Sequence, residues 1–176
     1  MEPGDNRNNN DNNSIQKYTL PETEISEILG FLELLNSKGG TADIYKLAQE
    51  LQMEFGETIE VIKGAELLQT VNTPGGDVVL EPLGKKITQS SISERKVIIK
   101  NQIEKIPLFQ DVCLFLKQND DQEVTREEVL EKLVEMIPNE NVERTFSTLV
   151  QWGRYAEIFG YNDDSHTFYL DTEDQD

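Results

Sequence analysis

Little in this chain can support covalent or metal chemistry. Its 176 residues include one cysteine, one histidine and one tryptophan, so an internal disulfide is impossible, and one His with one Cys cannot complete a four-ligand zinc site without unusual carboxylate help. Long apolar runs are missing too. No stretch approaches the roughly eighteen apolar residues that a membrane helix needs, and the N-terminus has no basic-then-apolar signal. The expectation is a cytoplasmic protein with no direct membrane insertion. Positive charge is scarce: 16 Lys and Arg stand against 34 Asp and Glu, a formal net charge of -18. Such a field repels phosphate polymers and anionic membranes, so nucleic acid is disfavoured as a partner. A local basic face still acts within a Debye length of about 8 Å.

What is present is a helical pattern broken by turns. Residues 1–19 form an Asn/Asp-rich stretch, most extreme over Asn8–Asn13, with too few apolar groups to offset the entropy of ordering; residues 171–176 form an acidic tail. Between them, Ile25, Ile28, Leu29, Leu32 and Leu35 recur at helical spacing and stop at Gly39-Gly40. Thr41 is placed to cap a second helix with Ile44, Leu47, Ala48 and Leu51 inward. Thr58 is placed to start a third, carrying Ile59, Ile62, Ala65, Leu67 and Leu68. A hairpin follows, turning at Thr73-Pro74-Gly75-Gly76 between Val71 and Val78-Val79-Leu80.

The order then repeats. Helices are expected over Pro107–Lys117, Thr125–Ile137 and Asn141–Tyr155, with Thr125 and Glu128 as a capping-box pair. Val129, Leu130, Leu133, Phe146, Leu149 and Val150 should point inward. A second hairpin turns at Asn162–Ser165 and should carry Ile158, Tyr161, Phe168 and Leu170 behind the helices. The fold expected is mainly α (α+β), with tandem winged-helix-like modules over 20–84 and 106–170. A helical connector over 85–105, capped by Ser91 or Ser93 and striped by Val97, Ile98 and Ile103, should join them.

The wording of these segments goes beyond pattern. PLFQDVCLFL, TREEVLEKL and LVQWGRYAEIFGYNDDSHTFYLD in the second half, with ISEILGFLELLNSKGGTADIYKLAQELQM, VIKGAELLQ, LEPLGKKI and SERK in the first, resemble the AAA-associated C-terminal domain family. That domain is usually appended to ATPase subunits of nitrate/sulfonate/taurine-type ABC importers. The resemblance implies a protein partner, an ABC transporter ATPase subunit among the candidates, and here the domain is expected to stand alone. It does not imply ATPase activity, because the chain has no GxxxxGK[ST] phosphate loop.

No catalytic, cofactor or metal site is expected. His166 sits in a turn beside Asp163, Asp164 and Ser165, and Asp120-Asp121-Gln122-Glu123 lacks the glycine and ligand spacing of a calcium loop. Cys113, within an apolar helix, is expected to be a buried structural thiol. A winged helix raises the question of DNA, yet Lys63 in the first third helix faces Glu60 and Glu66. In the second, Arg144 and Arg154 face Glu140, Glu143 and Glu157, and the wing carries Asp163 and Asp164 where phosphate-binding cations are wanted.

One segment runs against the acidic pattern. Lys85, Lys86, Arg95, Lys96, Lys100 and Lys105 gather in the connector, opposed there by Glu94 and Glu104. They either neutralise neighbouring acidic surfaces or form a docking face for an acidic partner. Arg154 and Tyr155, in the Trp152-Gly153-Arg154-Tyr155 turn, join the candidate face; Trp152 itself is expected in the core. The leading reading is a non-enzymatic interaction or regulatory module, with a homodimer left open. The alternatives are a winged-helix DNA-binding regulator and a small-ligand sensor with a pocket between the modules.

Overall fold

The computed structural model describes residues 18–119, 122–138 and 140–170. The Asn/Asp-rich stretch through residue 17, Asp120 and Asp121 of the acidic turn, and the tail 171–176 lie outside the described residues.

Helix α1 (Ile25–Ser37) opens on a capping box in which the Glu24 and Glu27 side chains each accept from the other's backbone N–H. Its Ile25, Ile28, Phe31, Leu32 and Leu35 are buried. Strand β1 (Thr41–Asp43) leads into α2 (Ile44–Leu51), then come α3 (Phe55–Leu67), β2 (Val71–Asn72), a short 3-10 turn at Pro74–Gly76 and β3 (Asp77–Leu80). Gly75 and Gly76 take φ of 63° and 94° in that turn, conformations open to glycine at little cost. Helices α4 (Pro82–Gln89) and α5 (Ile92–Ile103) follow. The second half contains α6 (Pro107–Gln118), β4 (Glu123–Thr125), α7 (Arg126–Met136), α8 (Val142–Tyr155), β5 (Gly160–Asn162) and β6 (Thr167–Tyr169). The architecture is mainly α with two small antiparallel sheets, ordered β1-β3-β2 and β4-β6-β5. Both halves therefore run helix, strand, helix, helix, strand, strand.

Several local expectations need correction. The hairpins are three-stranded sheets, because Thr41 pairs with Val79 and Val124 with Phe168. Thr41 thus starts a strand, and Asp43 caps α2 by accepting from the Lys46 N–H. Helix α3 starts three residues before Thr58, on a Glu54–Glu57 capping box. The connector is two helices. The Ser91 side chain caps the second one through the Glu94 N–H, as one of the two expected serines. Its inward residues are Ile99, Gln102 and Ile103, while Val97 is 58% exposed. In the last hairpin Phe159, outside the expected inward set, is buried with Tyr161 and Phe168, while Ile158 and Leu170 are partly buried against the same core.

One apolar cluster runs through both halves, from Leu20 to Phe168. The segment before α1 ties them. The Trp152 indole N–H donates to the Thr23 carbonyl and the Thr148 hydroxyl to the Pro21 carbonyl, each at 2.9 Å and buried. Around Trp152 the rings of Phe109, Phe159, Phe168 and Phe146 form a chain, with centroids 5.3 to 6.5 Å apart.

Candidate functional site

The connector's cations divide by what they touch. Arg95 is a structural staple: its Nε donates to the Ser90 carbonyl at 3.1 Å, one terminal nitrogen to the Thr88 carbonyl at 3.3 Å and the other to Glu33 Oε1 on α1 at 2.6 Å. These bonds satisfy carbonyls that the end of α4 leaves open, and the planar fork of arginine is suited to several acceptors at once. Lys96 pairs with Glu157 just beyond α8. The bond and charge of Lys96, with a smaller contribution from Lys100, outweigh slight desolvation and hold the Glu157 carboxyl below the usual carboxylate range.

Tyr155 completes this corner. Burial pushes its phenol pKa up, and the charges of Lys96 and Arg95 partly oppose that rise. Arg95, Lys96, Lys100 and Tyr155 are thus brought together where α5 crosses the end of α8. Lys85, Lys86 and Lys105 remain exposed. Lys86 acts on Glu94, whose carboxyl is held low chiefly by the Ser91 N–H and hydroxyl. Lys105 reaches Gln102 Oε1 at 3.5 Å.

Arg154 does not join the corner. It donates to the Tyr161 carbonyl, pairs with Asp163 Oδ2 at 2.8 Å and lies 5.5 Å from the Tyr161 ring centroid. Its role in the free chain is to hold the β5–β6 hairpin against α8. Trp152 is fully buried. Cys113 is half-buried rather than buried, and burial pushes its thiol pKa up, so the unreactive thiol form prevails at neutral pH. His166, at φ 55°, faces the Tyr161 hydroxyl at 3.4 Å. Among the described residues no group of three or more His, Cys, Asp or Glu side chains is placed to hold a metal ion, and no helix is long and apolar enough to cross a membrane.

The third helix of each half turns inward. Helix α8 buries Thr145, Phe146, Thr148, Leu149, Val150, Trp152 and Gly153, half of its fourteen residues, and its outward strip carries Glu143, Arg144, Ser147, Gln151 and Arg154. The two arginines on that strip are occupied, Arg144 by Glu22 at 3.2 Å and Arg154 by Asp163. Helix α3 likewise buries Thr58, Val61, Ile62, Gly64 and Ala65. A cleft of 680 Å³ lies between the pre-α1 segment, α3 and Arg144, lined mainly by carboxylates. A second, of 560 Å³, lies beside β2 and the start of α4. Neither is lined by Arg95, Lys96 or Arg154.

The model of the C-terminal AAA-associated domain matches residues 45–162, from the first turn of α2 to the last residue of β5. The chain belongs to this family. The match to the AAA-associated domain takes in every candidate residue from Lys85 to Tyr155, and it contains both third helices and the whole connector. No curated protein and no solved structure matches the chain.

Two features of the site were not anticipated from sequence. The Tyr45 and Phe55 rings stack at 4.9 Å on the surface, and the Pro21–Thr23 segment docks on α8. The Glu54-x-x-Glu57 spacing immediately around Phe55 was a usable signal for a helix start with an outward aromatic in its first turn.

Proposed function

We propose that this AAA-associated domain is a non-catalytic interaction and regulatory module. It acts in the cytoplasm on the ATPase subunit of an ABC-type importer or a related assembly, and it is built from two winged-helix-like modules that do not read nucleic acid. The observation that carries the reading is membership of the AAA-associated family. The outward face of α8 supports it, because its two arginines there, Arg144 and Arg154, are already paired with Glu22 and Asp163 rather than free for phosphate. The docking face we assign is the connector side, with Lys85, Lys86, Lys96 and Lys100 as the charges a partner meets and Tyr155 as the half-buried apolar ground beside them. Arg95 positions that face, and Arg154 adds to it only where a partner displaces Asp163.

The test is to titrate the purified chain against a phosphate-loop ATPase subunit of a nitrate/sulfonate/taurine-type importer, reading both binding and ATP turnover. Saturable binding with a change in turnover, and no retention of duplex DNA at the same salt, is expected. Binding of DNA with none of the ATPase would refute the reading.

A further inference from the structure

At the corner between α2 and α3 the chain displays two aromatic rings that bury little but each other. Tyr45 is 68% exposed and Phe55 43%, and their rings stack with centroids 4.9 Å apart and planes 14° from parallel. Large aromatic side chains supply most of their stabilisation through removal from water, and exposed aromatic anchors are where protein partners gain binding energy. The 680 Å³ cleft opens at the same corner: neither ring lines it, but Met53 and Gly56, close to Phe55 in the chain, do.

Carboxylates outnumber cations in the cleft. Glu22, Glu27, Glu57 and Glu60 line it with one cation, Arg144, which pairs with Glu22 at 3.2 Å, while Lys63 pairs with Glu60 at 2.8 Å from outside the lining. Glu60 stays ionised there: burial raises its pKa, but the Lys63 ammonium, the Glu22 N–H at 2.9 Å and the charge of Arg144 together outweigh that and lower it. Gly56 leaves the space open, since a Cβ built on it meets nothing within 4 Å. An exposed aromatic pair at the same corner as a carboxylate-lined cleft matches a ligand that carries apolar and cationic side chains together. A simple metal ion does not match, because the described residues include no group placed to ligate one.

We propose that the α2–α3 corner docks a short basic segment of a protein partner, its apolar side chains on the Tyr45–Phe55 stack and its arginine or lysine side chains in the cleft. Guanidinium groups can also lie over the exposed ring faces, which favours arginine in such a segment. This face is separate from the connector, and it takes a partner surface of the opposite charge.

The test uses the full chain and a fluorescein-labelled decapeptide alternating arginine and leucine, read by fluorescence anisotropy. Saturable binding that weakens with salt is expected. Tyr45→Ser with Phe55→Ser should raise Kd at least about tenfold, and Gly56→Gln, whose Cβ has open space and whose amide reaches into the cleft, at least about fivefold. Glu131→Gln with Glu135→Gln, on the outer face of α7, should change Kd by less than about twofold, as should Lys85→Glu with Lys86→Glu on the connector. Two outcomes would overturn the proposal: equal weakening by the α7 pair, which would mean diffuse charge attraction, or undiminished binding by both the aromatic and the Gly56 variants. Sedimentation of the chain alone guards against another occupant. A dimer that Phe55→Ser dissociates would assign the corner to a second copy and contradict the basic-peptide assignment.

Discussion

The indole N–H of Trp152 donates to the carbonyl of Thr23, 129 residues earlier in the chain, across a fully buried contact of 2.9 Å. A tryptophan in an aromatic core has one donor to satisfy, and here the satisfying acceptor belongs to the segment that leads into the other half. The same segment takes the Thr148 hydroxyl, an ion pair from Arg144 to Glu22 and the hydrogen bond from the Glu22 N–H to Glu60. Trp152 therefore serves both the aromatic packing of the second half and, with Thr148 and Arg144, its joining to the first.

Trp152→Phe should destabilise by about 2–4 kcal/mol, combining lost volume with an unsatisfied buried carbonyl. Thr148→Val should cost about 1–2 kcal/mol. Because both bonds hold Pro21–Thr23, the two losses should not add. Chemical denaturation of the single and double variants checks this, and full additivity would show that the segment is not held as a unit.

Two helical glycines differ in what surrounds them. A Cβ on Gly153 would overlap the Phe159 ring, whereas one on Gly30 meets nothing within 4 Å. Gly153→Ala should destabilise by about 1–3 kcal/mol through overpacking. Gly30→Ala should stabilise by about 0.5–1 kcal/mol, since it removes backbone freedom from the unfolded chain. Thermal melts with the same sign for both would contradict the packing described.

Acid should weaken the second half through its capping box. The Glu128 carboxyl is held below its ordinary value by the Thr125 N–H and hydroxyl, against slight desolvation. A carboxyl lowered in the folded state contributes stability that is present above its unfolded pKa, near about 4.3, and is lost as pH falls through the lower folded value. Thr125→Ala should cost about 1 kcal/mol at pH 7 and narrow the gap between stabilities at pH 7 and pH 3. Urea titrations at the two pH values read this directly, and an unchanged gap would mean that the cap does not carry the acid dependence.

Arg95 and Lys96 are adjacent, yet the roles assigned to them differ. Arg95→Gln should lower stability by about 1–2 kcal/mol, because it leaves the carbonyls of Thr88 and Ser90 and the Glu33 carboxylate without their common partner. Lys96→Gln removes one exposed pair and should cost no more than about 1 kcal/mol. Denaturation midpoints with the reverse ranking would contradict the staple.

Much of the helical layout was legible because its signals are local. Thr125-x-x-Glu128 announced its capping box, Gly75-Gly76 its turn, and the Ile25–Leu35 spacing its buried face. The strands β1 and β4 were not legible: Thr41-Ala42-Asp43 and Glu123-Val124-Thr125 each have one apolar residue and no period, and they become strands by pairing with β3 and β6. In α5 the consecutive Val97-Ile98-Ile99 leaves the helical phase undetermined, so packing against α8, not the local pattern, selects Ile99 for burial. At the site, the cations were visible as a cluster in the chain. That Arg95 points into helix-end carbonyls while Lys85 and Lys86 face outward depends on where α4 ends, and the Tyr45–Phe55 stack depends on how α2 turns into α3.

If a protein partner docks on the connector, as proposed, the connector's cations set the rate of encounter. Association of the chain with the importer ATPase subunit should be followed by stopped flow across a range of ionic strengths, with the natural sequence and with Lys85→Glu, Lys86→Glu and Lys100→Glu combined. The account predicts that the triple variant keeps its fold, associates at least about tenfold more slowly at low salt and shows a flatter salt dependence. An association rate and salt slope unchanged by the three reversals would contradict it.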